Sequence, residues 1–114
     1  MAEQVKPLVL QFKKEKKEYT LEFNRDTIRF AEARGFVPDD VDKYPMTKIY
    51  EFFWLAFRMH HPSFSLNQAE KMLDKMGGMS DALGKRLGEL WAVPYETLNQ
   101  NNGDEKNGSV TVEL

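Results

Sequence analysis

Residues 52–62, FFWLAFRMHHP, raise the main question of this sequence, because on a helix they would be apolar over most of the surface. On a helix, the polar side chains of Lys48, Glu51 and Arg58 occupy only one narrow stripe. Two adjoining faces are apolar or aromatic, and they carry Ile49, Phe52, Phe53, Ala56 and His60 on one side and Tyr50, Trp54, Phe57 and His61 on the other. The pattern predicts a helix that starts just after Pro45 and is either the central helix of the domain or an interface with another chain.

Neither a membrane span nor a metal site fits this stretch. Its apolar run is far shorter than the roughly 20 residues that cross a bilayer, and it includes Glu51 and Arg58. His60 and His61 are consecutive, so on a helix their side chains diverge by about 100° and do not share one ion as residues four apart do. We therefore predict no membrane span and no metal site, with both histidines in the last helical turn before Pro62.

The composition narrows the class of protein. A chain of 114 residues is about the size of one domain. Its 16 basic and 18 acidic residues leave a net charge of −2, which does not by itself attract the protein to nucleic acid or to an acidic membrane. The absence of cysteine excludes a disulfide framework, a thiolate zinc site and a cysteine nucleophile. The start, MAEQVKPLVLQFKK, lacks the basic flank and apolar run of a signal peptide, which favours a cytoplasmic location.

The N-terminal region has the period-two pattern of two half-buried strands. The alternating apolar positions are Leu8, Leu10 and Phe12, and then Tyr19, Leu21 and Phe23. Between them residues 13–18, KKEKKE, predict the charged tip of an antiparallel hairpin. An alternative is a nucleic-acid patch in which Phe12 and Tyr19 stack on bases beside the lysines, although Glu15 and Glu18 dilute the positive charge.

Local capping signals place the other helices. Asn24 is a good N-cap and Gly35 can end that helix in a left-handed conformation, with Phe36 as the apolar contact of a Schellman motif. Residues 37–45 form a connector bounded by prolines. Ser65 with Gln68 has the capping-box pattern of a further helix. A last helix carries Leu83, Leu87, Leu90 and Trp91 on one face, and Pro94 is expected to kink or end it.

The sequence thus predicts an α+β fold, with an N-terminal antiparallel β-hairpin followed by about four α-helices. One domain spans residues 1–98, and residues 99–114 have the composition of a flexible tail. Its final SVTVEL alternates apolar and polar residues and could add a strand to a sheet edge, but a disordered end fits its position better.

No catalytic equipment is visible in the sequence. It has no glycine-rich phosphate loop, no local signature of a serine, histidine and acid triad, and no paired metal ligands. We therefore predict no enzyme and no cofactor. What stands out is apolar, soft surface, because several methionines accompany the aromatic helix and such surfaces adapt to varied partners. These are Met59, Met72, Met76 and Met79.

Three segments, in this order, carry a family resemblance. Residues 17–36, KEYTLEFNRDTIRFAEARGF, residues 44–62, YPMTKIYEFFWLAFRMHHP, and residues 95–98, YETL, resemble the small tail assembly chaperones of long-tailed, siphovirus-type phages and prophages of Gram-positive bacteria. The resemblance covers about residues 6–98. It implies a protein of the host cytoplasm that keeps the long helical tape measure protein soluble, recruits tail tube subunits and is absent from the finished virion.

The resemblance assigns no catalytic residues, so the partner-binding prediction comes from the apolar pattern. The side chains expected to cover hydrophobic stripes on a client helix are Tyr50, Trp54, Phe57, Met72 and Met76. We also expect self-association. Two rival functions are a small nucleic-acid-binding module that uses the lysine-rich hairpin tip, and a metal-dependent enzyme in which His60 and His61 meet carboxylates from elsewhere in the chain.

Overall fold

A β-hairpin opens the chain and five helices follow it in the computed structural model, which describes residues 5–99. The elements are β1 (Leu8–Phe12), β2 (Lys17–Leu21), α1 (Arg25–Ala33), α2 (Asp40–Lys43), α3 (Pro45–Phe57), α4 (Leu66–Met76) and α5 (Asp81–Asn99). The predicted α+β class with its N-terminal antiparallel hairpin is confirmed. The predicted tail, residues 99–114, lies outside the described residues except for Asn99, which ends α5.

The hairpin pairs β1 and β2 with Leu10 opposite Tyr19. Its tip is closed by a hydrogen bond from the Lys16 N–H to the Lys13 carbonyl, 3.2 Å long, and Lys16 adopts the left-handed conformation with a φ of 55°. The alternating pattern turns one face of the sheet towards the core, where Leu21 is fully buried. The hairpin therefore contributes one apolar face and a charged, exposed tip.

Both ends of α1 follow their local signals. The Asn24 side chain accepts a hydrogen bond from the Thr27 N–H, and the Thr27 hydroxyl accepts one from the Asn24 N–H, each 2.8 Å long. At the other end Gly35 has a φ of +85°, and the Phe36 N–H donates to the Ala31 carbonyl at 3.0 Å, as in a Schellman motif. This turn delivers Phe36 into the core, where it is fully buried.

The predicted connector, residues 37–45, contains the one-turn helix α2, which accounts for the fifth helix. Asp40 and Asp42 lie in its first turn, where acidic side chains favour a helix, and Pro45 then starts α3. A helix of four residues is too short to produce a helical period in the sequence, and so the pattern missed it.

α3 is the central helix of the fold. Elements on several sides contact it: the Glu22 N–H that follows β2 donates to the Ala56 carbonyl at 3.0 Å, and the Phe52 ring lies 6.0 Å from Trp91 of α5. Phe53 and Leu55 are fully buried. Of the two possibilities for this helix, α3 is the central helix of the domain, because most of its apolar side chains are buried inside the domain.

The two histidines lie beyond α3 rather than in its last turn. The helix ends at Phe57, and a tight turn follows in which the His61 N–H donates to the Phe57 carbonyl at 2.7 Å. This turn brings both rings to β2 and its continuation. The Thr20 N–H donates to His61 Nε2 at 3.0 Å, and His60 Nε2 lies 2.8 Å from a Glu22 carboxylate oxygen. The histidines thus satisfy polar groups along the outer edge of β2.

Capping also fixes α4 and α5. Ser65 and Gln68 form the expected reciprocal capping box, and Gly77 ends α4 with a φ of 90°. The Ser80 hydroxyl accepts a hydrogen bond of 3.1 Å from the Leu83 N–H at the start of α5. Pro94 lies inside α5, which continues to Asn99, so this proline does not end the helix. Within residues 5–99, no helix combines the length and the apolar character that crossing a membrane requires.

Candidate binding groove

Of the five residues expected to contact a partner, Phe57 is fully buried. Its ring stacks on Phe64 with 4.1 Å between centroids and meets Phe53 edge to face at 5.0 Å. Helical spacing placed Phe57 on the second apolar face of α3, and the turn after α3 folds Phe64 over that face. Phe57 therefore belongs to the core and does not form part of the exposed contact surface.

Tyr50 and Trp54 are half-buried, and their polar atoms bind within the domain. The Tyr50 hydroxyl donates to a carboxylate oxygen of Asp74 at 2.5 Å, and this hydrogen bond raises the pKa of the phenol. The Trp54 indole N–H donates to the Phe64 carbonyl at 2.9 Å, and the Arg34 guanidinium lies 4.8 Å from the indole ring centroid. Tyr50 thus joins α3 to α4, and Trp54 joins α3 to the turn that follows it.

Met72 and Met76 lie one helical turn apart on α4, next to the hairpin. Met72 helps to line a concavity of about 220 Å³ between the hairpin and α4. The other apolar lining residues are Phe12 and Tyr19, and the charged ones are Glu15, Lys17, Lys71 and Lys75. Met76, whose exposed fraction is 38%, lines an adjoining concavity that shares Phe12, Glu15 and Lys75 with the first. We refer to the two concavities together as the hairpin–α4 groove.

The position of Phe12 explains why the groove has an apolar wall. Phe12 is the last residue of β1, and its ring meets Tyr19 edge to face at 6.0 Å. Tyr19 continues this contact into the core, where its ring lies 5.6 Å from Phe57. The groove is therefore the place where the aromatic core of the domain reaches the surface, beside the methionines of α4.

The groove lies in a strongly positive part of an acidic chain. The concavities around Phe12 are lined by six lysines and two glutamates, an excess of four positive charges. The lysines are Lys13, Lys14, Lys16, Lys17, Lys71 and Lys75. The whole chain has a net charge of −2, so its charge is distributed very unevenly. Such a field attracts anionic groups to the groove.

One ion pair crosses the groove. Lys75 Nζ on α4 lies 2.6 Å from a carboxylate oxygen of Glu15 at the hairpin tip, and both residues line both concavities. This hydrogen bond to Lys75 is the main reason why the pKa of the Glu15 carboxyl is lowered from its usual value. Glu15 is therefore ionised at neutral pH, and its contact with Lys75 is the ion pair that joins the hairpin tip to α4.

The sequence indicated some of these residues and missed others. Met72 and Met76, which the sequence predicted as partner-binding residues, line the groove. Lys71 and Lys75 were not singled out, although their spacing of four places them on one helical face. The contact of Glu15 with Lys75 joins positions 60 residues apart and has no local signal.

Two observations concern the rival sites that the sequence left open. Tyr19, one of the two rings of the alternative base-stacking site, lines the first concavity but also packs against aromatic neighbours, with Phe64 at 5.4 Å and His61 at 5.3 Å between centroids. For the metal site, no group of three or more metal-binding side chains of the His, Cys, Asp or Glu type occurs among residues 5–99.

Comparison with models of known protein families gives a match over the full length of the sequence. The family model described as a domain of unknown function, DUF5055, matches residues 1–114. No curated protein and no solved structure matches the chain. Because the family model covers the whole sequence, the chain belongs to the DUF5055 family.

Proposed function

We propose that this protein is a non-enzymatic tail assembly chaperone of a long-tailed phage or prophage. In this proposal it acts in the host cytoplasm, binds the tape measure protein, helps to recruit tail tube subunits and is absent from the mature virion. The observation that carries the proposal is the hairpin–α4 groove, an apolar strip open to solvent beside the aromatic core. The family resemblance of residues 17–36 and 44–62 supplies the identity of the client.

The groove has the chemistry that a client helix requires. An amphipathic helix binds by laying its apolar stripe into a hydrophobic groove, with contacts at intervals of three or four residues. Met72 and Met76 have unbranched, flexible side chains that can repack around different apolar neighbours, and Phe12 offers a rigid ring beside them. This combination suits a chaperone whose client helix carries many apolar stripes that are similar in character but differ in their side chains.

The structure changes the contact set that we propose. Phe12, Met72 and Met76 would touch the client, because each lines the groove. Tyr50 and Trp54 would act indirectly, since the hydrogen bond of Tyr50 positions α4 and that of Trp54 positions the turn after α3. Phe57 would contribute only by supporting Tyr19 from within the core.

The test is co-expression with a fragment of a tape measure protein that is insoluble when it is expressed alone. We expect the wild-type chain to keep the fragment in the soluble fraction and to co-purify with it. Met76→Ser should reduce the recovered fragment several-fold, because it removes an apolar contact from the groove. Met59→Ser is the matched control, since Met59 is exposed to the same degree, 37% against 38%, but lies in the turn after α3.

Two results would contradict the proposal. The first is an unchanged insoluble fragment in the presence of folded wild-type chain, which would refute the client. The second is an equal loss with Met76→Ser and Met59→Ser, which would refute the groove as the site. Self-association is part of the same proposal, and sedimentation velocity that finds a strict monomer at all concentrations would remove it.

A further inference from the structure

The ion pair across the groove occupies the place where a partner would lie. Glu15 reaches from the hairpin tip to Lys75 on α4, and the two side chains remain exposed, 42% for Glu15 and 72% for Lys75. Exposed ion pairs contribute little to stability, because water and salt screen them. The contact can therefore be exchanged for an equivalent one with a carboxylate from another chain.

The other lysines of the groove are available for the same purpose. Lys17 on β2 and Lys71 on α4 line the first concavity from its two sides. Neither forms an ion pair with any residue among positions 5–99. A ligand that lies between the hairpin and α4 would thus meet an apolar strip flanked by ammonium groups on both sides.

We infer that the hairpin–α4 groove binds an amphipathic helix whose apolar stripe is flanked by carboxylates, and that Glu15 takes the place of one such carboxylate on Lys75 until the helix displaces it. This inference rests on the proposed function and specifies the chemistry of the client. The apolar stripe would pack on Phe12, Met72 and Met76. The flanking carboxylates would pair with Lys17, Lys71 and Lys75.

A nucleic acid is a less suitable ligand for the same charges. Its phosphates would be attracted to the lysines, but binding of single strands also depends on aromatic faces on which bases stack. Tyr19 also lines the first concavity, but its ring packs against Phe57, Phe64 and Phe12, which leaves little room for a stacked base beside Phe12. The methionines beside it favour an apolar side chain.

Three fluorescent probes test the inference on the purified full chain. Two are helical peptides of about 18 residues with the same leucine stripe, flanked either by glutamates or by lysines, and the third is a single-stranded DNA of about 20 nucleotides. We expect the glutamate peptide to bind about tenfold more tightly than the lysine peptide at low salt, and we expect the difference to shrink at high salt. DNA should bind more weakly than the glutamate peptide.

Charge-neutral variants test the role of Glu15. Glu15→Gln should tighten binding of the glutamate peptide about threefold or more, because it releases Lys75. Glu18→Gln removes the same charge from the same hairpin, but Glu18 bonds to Gln11 and not to Lys75, so its effect should be smaller. Lys75→Gln should weaken binding and abolish the gain from Glu15→Gln when the two changes are combined.

The outcomes separate this inference from the proposed function. Equal binding of the two peptides, no binding of either, or tighter binding of DNA would overturn the inference, even if co-expression still keeps the tape measure fragment soluble. Equal gains from Glu15→Gln and Glu18→Gln would overturn the displacement of Glu15. A clear preference for the glutamate peptide without any effect on the fragment would uphold the chemistry of the groove and refute the client.

Discussion

Replacing His61 by alanine should destabilise the domain far more than the same change at its neighbour His60. His61 Nε2 accepts the Thr20 N–H at 3.0 Å, and its ring lies 5.3 Å from that of Tyr19. Loss of the acceptor leaves a partly buried N–H without a partner, which costs about 1–3 kcal/mol, and loss of the ring contact costs about 0.5–1.5 kcal/mol. Because His61 is only half-buried and water can reach the site, we expect about 2 kcal/mol in total.

His60→Ala is the control, since it removes an imidazole from the adjacent position. His60 contacts Glu22 through a partly exposed pair, and such pairs contribute about 0–1 kcal/mol. Urea unfolding followed by tryptophan fluorescence measures both variants, and a loss of about 2 kcal/mol corresponds to a fall in Tm of roughly 8 °C for a chain of this size. An equal loss for the two variants would refute the assignment of His61 as the acceptor at the edge of β2.

Three further outcomes follow from the described geometry. Gly35→Ala should lower the free energy of unfolding by about 1–2 kcal/mol, because residue 35 has a φ of +85°. Lys16→Gly should raise it by up to about 1 kcal/mol, because residue 16 has a φ of 55°. Changes of the same sign for the two variants in urea unfolding would contradict this. Glu51→Ala should cost about 2 kcal/mol by leaving two cationic partners at 3.2 and 3.0 Å unpaired, and a stable Glu51→Ala variant would contradict this. Burial and a hydrogen bond to Glu32 raise the pKa of Tyr95 above its usual value of 10.0. The contribution of Tyr95 to the free energy of unfolding should therefore be complete below pH 10.0, and it should be lost as the pH rises through the higher pKa of the folded state. Ultraviolet titration of Tyr95→Phe should show one late-titrating tyrosine fewer than the wild type, because the pKa of Tyr50 is also raised and Tyr50 remains. An unchanged titration curve would count against the raised pKa of Tyr95.

The parts of the fold that the sequence predicted are those set by neighbours in the chain. Asn24 and Thr27, and likewise Ser65 and Gln68, form capping boxes within three residues, so the sequence contains the whole interaction. Gly35 is equally local, because its left-handed conformation depends on its own missing side chain. Such signals place element boundaries without any knowledge of the packing.

The parts that the sequence could not predict depend on residues far apart in the chain. Helical spacing put Phe57 and Trp54 on one face of α3, yet Phe57 is fully buried and Trp54 is half-buried. Phe64 and Tyr19 both pack on the Phe57 ring, whereas Phe64 meets Trp54 through its carbonyl oxygen. Periodicity shows that a face is apolar, and the tertiary neighbours decide how much of it stays exposed.

The candidate site lies on the neighbours of α3 and not on α3 itself. A central helix in a small domain is enclosed by the elements that it organises, so its aromatic surplus is used to hold them together. In this chain Tyr50 fixes α4 through Asp74. The groove that we propose for a partner lies on the outer elements, where Met76 and Phe12 line it at the edge of the core. If α4 is the element that meets the client, Tyr50→Phe should weaken client binding through the placement of α4, while Met76→Ser should weaken it with α4 unchanged. Hydrogen exchange of the α4 amides separates the two cases, since only Tyr50→Phe should accelerate it.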